Sequence, residues 1–355
     1  MSRVIMCCAV LAFVMWGFIP AAWGREQIRI VGSSTVYPFT SAVAESFGKT
    51  GKYKTPIVES TGTGAGLKLF CAGLGDDTPD IANASRAIKD SERSECRKNG
   101  VTDIIEVRIG FDGIVFAHSK DDVAFDLTQK EIFLALAKKV PVNGKLVANP
   151  NKKWKDINPK FPSEPILVYG PPPTSGTRDA FVELILDVAC LGFPEIKALP
   201  EAQRHQACGT LREDGVFVES GENDNVIIQR LQANKHALGI LGYSYYEQNR
   251  DTLQATKING VGSDFNAILD GRYPVARSLF LYAKKQHFEK VPGLKEFLRF
   301  YVSEDALGEE GYIIERGLIP MLPELRAAQR AIVNAGETLD QRGTPRVGGG
   351  GSPRN

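Results

Sequence analysis

Four short stretches of this chain gather hydroxyl side chains and glycines at points where an apolar run gives way to a helical pattern. They are Gly32-Ser33-Ser34-Thr35 after "IRIVG", Thr61-Gly62-Thr63 after "TPIVES", Ser85-Arg86 after "DIANAS", and Thr174-Ser175-Gly176-Thr177 after "LVYG" and a tripled proline. Ser and Thr are favoured helix N-caps, so any one of these stretches alone reads as an ordinary cap. Together they suggest more. Helix N-termini carry unpaired N–H groups and roughly half a positive charge, which suits anions. Arg86, Asp112 and Arg178 stand at or beside the same junctions. Charge-assisted hydrogen bonds contribute about 1.5–3 kcal/mol each, and micromolar capture needs only about 8 kcal/mol net. The chemistry implied is a polyvalent hydrogen-bond cage for a small tetrahedral oxyanion.

The elements that position these junctions alternate short β runs with helical patterns, which predicts parallel sheets with helices between the strands. In such sheets ligands sit at the carboxyl ends of the strands. "IRIVG" is expected as a strand, and Val36, Phe39, Val43 and Phe47 recur near helical spacing after it. "TPIVES" and "DIANAS" are two further strands, and "IIEVRIGFDGIVFAHS" reads as two β runs broken at Phe111-Asp112-Gly113. Beyond these, "TQKEIFLALAKKV" is expected to be helical and "VNGKLV" to turn as a hairpin at Asn-Gly. "DNVIIQRLQANKHALGILGYSYY" reads as helix then strand, "YPVARSLFLYAKK" as a strand, and "GLKEFLRFYVSEDALGEEGYIIERGLIPM" as helix–turn–helix. The glycine-rich end, 336–355, is expected to be a disordered tail.

Composition excludes several classes. The 355 residues include 43 basic and 42 acidic side chains, so no global field points to nucleic acid. Arg3 precedes an uncharged apolar stretch from Val4 to Gly24 with small residues at its end, the pattern of a signal peptide cleaved after Gly24. Cleavage leaves Cys71, Cys96, Cys190 and Cys208, an even number in an exported chain, which implies disulfides with three possible connectivities. Proximity in sequence favours Cys71–Cys96 and Cys190–Cys208; a zinc site using His205 and Cys208 is the alternative. A serine hydrolase built on Ser34 or Ser175 is the rival from another class, but no G-x-S-x-G is present and none of the four histidines lies in a Gly/Ser motif.

"GSSTVYPF", "STGTGAGLKLF", "NASRAI", "FDGIVFAHS" and "TSGTRDAF", in this order, resemble the periplasmic phosphate-binding proteins of Pst-type ABC transporters over about Ile28 to Pro320. The resemblance implies an α/β fold with two Rossmann-like lobes of a type II periplasmic binding protein, joined by two crossover strands. Lobe 1 would take 25–117 and 273–335, lobe 2 would take 118–272, and "DGIVFAHS" and "YPVARSLFLYAKK" would be the crossovers. It implies capture of inorganic phosphate by a monomer, delivery to permease subunits in the inner membrane, no cofactor and no catalysis. The alternatives are another oxyanion (sulfate, molybdate, a phosphonate) or a phosphate sensor or surface protein on the same fold.

Carried over residue by residue, the resemblance puts Ser34, Thr35 and the Val36 amide on the anion, with Thr61 or Thr63, then Ser85, and Ser175, Gly176 and Thr177 from the other lobe. The chain departs from the best-known branch, in which an aspartate follows the serine of the third junction; here that position is Arg86. Arg86, with Arg178, would then supply the guanidinium, and Asp112 would accept the proton that phosphate retains near neutral pH. Sulfate has no such proton, so an unpaired buried carboxylate would reject it. Asp-Gly is also a common turn, and Asp112 as a mere turn residue is the competing reading.

Overall fold

The computed structural model describes residues 25–122, 126–173, 175–221 and 223–342. The expected signal peptide, Thr174 and the tail from 343 onward lie outside these residues. Eleven strands are described: β1 (Arg29–Gly32), β2 (Ile57–Ser60), β3 (Ile81–Ala84), β4 (Ile104–Ser119), β5 (Lys139–Val142), β6 (Lys145–Ala148), β7 (Val168–Gly170), β8 (Phe217–Glu219), β9 (Leu238–Gly242), β10 (Leu253–Ala255) and β11 (Ala276–Lys284). Nine join in the order β2-β1-β3-β11-β4-β9-β7-β8, with β10 also on β4.

The run expected to break at Phe111-Asp112-Gly113 is one continuous strand. What changes there is its partner. Residues Ile104 to Gly113 of β4 pair antiparallel with β11, whereas Ile114 to Ala117 pair with β9. Consecutive extended residues keep their pleat through a change of partner, so the Asp-Gly pair turns nothing. The strand therefore passes from one sheet to the other: β2, β1 and β3 run parallel on one side, and β9, β7 and β8 run parallel on the other. Two α/β lobes result, with the ends of β1 (Gly32), β3 (Ala84), β7 (Gly170) and β9 (Gly242) directed at the seam around Asp112 to Ile114.

Helices fill the lobe faces. Helix α1 (Tyr37–Lys49) buries Phe39, Val43 and Phe47 as their spacing predicts, and Phe47 meets Phe297 edge-on at 5.3 Å. Helix α2 (Thr63–Phe70) lies so close to β1 that a Cβ on Gly66 would stand 2.4 Å from Gly32 Cα. Helix α3 (Asp90–Lys98) is joined to the end of α2 by Cys71–Cys96, and Cys190–Cys208 ties two lobe-2 helices together. This is the pairing that sequence proximity favours, and with Cys208 in a disulfide the zinc alternative falls. Asn143 and Gly144 take positive φ of 50° and 77° between β5 and β6, the geometry of the expected Asn-Gly hairpin.

Three expectations need correction. "YSYY" is helical (Tyr243–Gln248) rather than strand. The segment after Leu307 makes turns up to Met321 and the last helix is Pro323–Ala335, later than the helix–turn–helix pattern implied; Pro at its first position starts it. The tail is also seated further than its composition suggested: the Leu339 amide bonds Ile104 O at 2.8 Å, Arg342 bonds Glu106 O at 2.9 Å, and Thr338 is buried. Leu339 packs on the small core of Leu67, Phe70, Ile104 and Tyr282, an apolar contact that outweighs the polar composition around it.

Candidate functional site

The first junction is shaped by close packing. Gly32 has φ of +132°, and a Cβ there would meet Asn83 O at 2.1 Å, so only glycine lets β1 end against β3. Ser33 then turns the chain: its N–H bonds Asn83 O and its carbonyl accepts from Tyr37 N–H, both at 3.0 Å. The Val36 amide points to Ser33 Oγ at 3.4 Å. No side chain caps α1, so the Ser34 and Thr35 hydroxyls are free for other partners. Both reach the other lobe. Ser34 Oγ bonds the Asp179 carboxylate, and Thr35 Oγ1 lies 3.4 Å from Gly176 O.

The second and third junctions meet each other. Thr63 Oγ1 accepts from the Ser85 N–H at 3.1 Å and bonds Ser85 Oγ at 3.0 Å. Thr63 and Ser85 are buried, whereas Thr61 is exposed with only its neighbour's carbonyl at 3.5 Å. Of the two threonines left open by the sequence, Thr63 is the one tied into the cluster.

Ser175 acts as a helix cap at the fourth junction. Its Oγ accepts from Thr177 N–H at 3.2 Å and starts the helix Gly176–Phe181. That helix runs through a π turn (Val182–Leu186) to Cys190. A Cβ on Gly176 would stand 2.9 Å from Thr35 Cα, so the first and fourth junctions meet backbone to backbone across the seam.

The guanidinium groups are arranged differently from expectation. Arg86 makes a two-pronged pair with Glu92, at 2.9 and 2.7 Å, and also bonds Ala87 O. Arg178 is nine-tenths buried, donates to Pro171 O at 3.0 Å, and lies over the Phe217 ring; burial lowers its pKa. It braces the proline turn of lobe 2. The cation at the seam is Arg277, on β11, which the sequence reading did not single out. Strand register sets Arg277 directly opposite Asp112. Arg277 Nη2 donates to Thr35 Oγ1 at 2.9 Å, Nε faces Asp112 Oδ2 at 3.5 Å, and Nη1 pairs with Glu183 of the π turn.

Nε of Arg277 and Oδ2 of Asp112 are both buried and neither makes a hydrogen bond among the described residues. Burial raises the Asp112 pKa, against the opposing pull of Arg277. The seam thus presents a buried Arg277–Asp112 ion pair whose facing atoms, 3.5 Å apart, make no hydrogen bond, flanked by the hydroxyls of Ser34 and Thr35. Thr35, Gly176, Asp112 and Ser34 are brought together there. Thr63 and Ser85 form a second cluster at the ends of the adjacent strands. One sequence cue did exist for Arg277: it is the one charge between Tyr273 and Ala283 on the strand already read as the partner crossover.

The lobes and seam are those of a periplasmic binding protein, and the PBP superfamily domain matches residues 20–305. The SphX protein of Synechococcus elongatus is 33% identical over 307 residues, which is 85% of this chain and 80% of that one. The phosphate-binding protein PstS of Staphylococcus saprophyticus is 30% identical over 293 residues, 81% of this chain and 79% of that one. A crystal structure of a possible phosphate binding protein from Planctomyces limnophilus superposes with a TM-score of 0.72 at 28% identity, covering 88% of this chain and 99% of the other. The chain belongs to the periplasmic binding protein superfamily and, within it, to the family of PstS-type phosphate-binding proteins. This is a family of extracytoplasmic substrate-binding receptors of ABC transporters. Among the described residues no helix is long and apolar enough to cross a membrane, and no group of His, Cys, Asp or Glu is placed to hold a metal.

Proposed function

We propose that the chain, exported by its cleaved signal peptide, captures inorganic phosphate as a monomer between its lobes and delivers it to the permease subunits of an ABC transporter. Lobe 1 is formed by 25–117 and 273–335 and lobe 2 by 118–272. The observation that carries this reading is the buried Arg277–Asp112 ion pair, whose facing Nε and Oδ2 stand 3.5 Å apart without a hydrogen bond. Monohydrogen phosphate accepts a hydrogen bond on one oxygen and donates one from another, so it satisfies both groups at once. Sulfate satisfies only the donor and leaves Asp112 facing a bare oxygen, which costs several kcal/mol, on the order of a thousand-fold or more in affinity.

Arg277 supplies the guanidinium in place of Arg86 and Arg178, whose charges are held by Glu92 and the proline turn. Ser34, Thr35 and the Val36 amide bind from the first junction, Thr63 and Ser85 from the second and third, and Ser175, Gly176 and Thr177 from lobe 2. An anion held by both lobes binds the closed form best and shifts the population toward closure. The role is capture without turnover: His287 pairs with Asp80, His236 with Asp122 and buried His118 with its neighbour's carbonyl, so none of these stands ready as a base for Ser34 or Ser175.

The test is calorimetric titration of ligand-stripped residues 25–355 with phosphate and then sulfate, on wild type and Asp112→Asn. Micromolar or tighter phosphate binding with negligible sulfate heat, and sulfate binding gained in the variant, is the expected result. Because the Asp112 pKa is raised, sulfate should also compete better in the wild type as the pH falls and the carboxyl becomes a donor. No heat with phosphate would overturn the reading.

A further inference from the structure

Two lobe-2 carboxylates, Asp179 and Glu183, reach across the seam to lobe 1. Asp179 takes the Ser34 hydroxyl, whereas Glu183 takes the guanidinium that an anion would need. The charges around Arg277 are therefore crowded. Asp112 faces its Nε from β4, Glu183 holds Nη1 from the π turn, Thr35 holds Nη2, and Asp179 lies one helical turn before Glu183. One positive charge cannot serve Asp112, Glu183 and an incoming oxyanion together.

The two carboxylates differ in their freedom. Asp112 is fixed in the middle of a continuous strand, with its side chain 15% exposed. Glu183 has a longer side chain that is 50% exposed, facing an Arg277 that is 9% exposed. A half-solvated carboxylate recovers its hydration by a rotamer change, and a strand residue cannot. Asp112 stays, and Glu183 is the group that can leave.

We infer that Glu183 is a displaceable counter-anion. It occupies Arg277 Nη1 when the lobes meet and swings into water when an oxyanion takes its place. This rests on the reading that Arg277 is the guanidinium of the phosphate site. A tethered carboxylate is a competitor at high effective concentration, so it weakens capture and hastens release. In the closed form Glu183 takes back Nη1 as the anion lets go, so that release begins before the lobes part.

The test compares phosphate binding by wild type, Glu183→Gln and Glu201→Gln, using calorimetry for Kd and stopped-flow for dissociation. Glutamine keeps the length and an acceptor for Arg277 but removes the charge. Glu201 is an exposed lobe-2 residue outside the seam, so its variant controls for net charge. Glu183→Gln should bind phosphate about tenfold tighter, mainly through slower dissociation, because no tethered carboxylate then competes for Nη1 as the anion leaves. Glu201→Gln should match wild type. If wild type binds phosphate and Glu183→Gln binds equally or more weakly, Glu183 is only a strut between the lobes and the inference fails alone. If wild type binds no phosphate, the proposed function fails and takes the inference with it.

Discussion

Replacing Arg277 by glutamine separates the site described here from the one that sequence alone suggested. Arg277 already spends one donor on Thr35 at 2.9 Å, and its Nε is buried without a hydrogen bond. A phosphate at the seam gains that Nε–H and, once Glu183 yields, an Nη1–H. Two charge-assisted bonds at about 1.5–3 kcal/mol each amount to about 3–6 kcal/mol, a loss on the order of 10² to 10⁴ in affinity. Asp112 would also lose the cation that faces it and repel the dianion more strongly. Calorimetric titration with phosphate measures the effect, and thermal unfolding checks that the variant folds. Arg86→Gln and Arg178→Gln serve as comparators, each expected to weaken binding by less than about 1 kcal/mol. Micromolar binding retained by Arg277→Gln, or capture abolished by Arg86→Gln alone, would refute the assignment and restore Arg86 as the guanidinium.

Two further perturbations test the scaffold. In Gly66→Ala the new methyl would meet Gly32 Cα at 2.4 Å and Gly32 N at 2.9 Å; overpacking of this kind costs about 1–3 kcal/mol, so scanning calorimetry should show Tm lowered on the order of 5 °C. An unchanged Tm would mean that α2 and β1 are not so close. Asp224 is buried, accepts from the Gly242 N–H at 2.7 Å, and has its pKa pushed by burial from 3.8 up to about 6. Between those values the folded state binds the extra proton, so stability is full below pH 4 and falls as pH rises toward 6, by about 3 kcal/mol in all. Denaturant titrations across that window should show the decline in wild type and not in Asp224→Asn; parallel curves would contradict it.

Much of this arrangement can be read along the chain because it is local. The hydroxyl-rich junctions, the periodicity of α1, the Asn-Gly hairpin and the two short-range disulfides all depend on residues near one another in sequence. Arg277 was missed for the opposite reason. Its meaning comes from antiparallel register with Asp112, a partner more than a hundred residues away, and no periodicity encodes that. Arg86, an arginine beside a serine at a strand end, invites an anion in sequence, while its pairing with Glu92 on the next helix is announced by no local pattern. Phe111-Asp112-Gly113 misled because Asp-Gly usually turns, and here the chain stays extended while its neighbours change.

That change of neighbours decides which parts of the site move. Arg277 and Asp112 face each other at the fulcrum, on two strands that both belong to the lobe-1 ladder, so a rotation of lobe 2 hardly alters their separation. Ser34–Asp179, Thr35–Gly176 and Arg277–Glu183 lie across the gap and part when it opens. On the proposed function the open form would keep half its grip assembled, and an arriving anion would find its first berth on lobe 1. Lobe 2 would then set the dwell time, so substitutions in Ser175 to Thr177 are expected to act on the off-rate and those at Asp112 and Arg277 on the choice of ion.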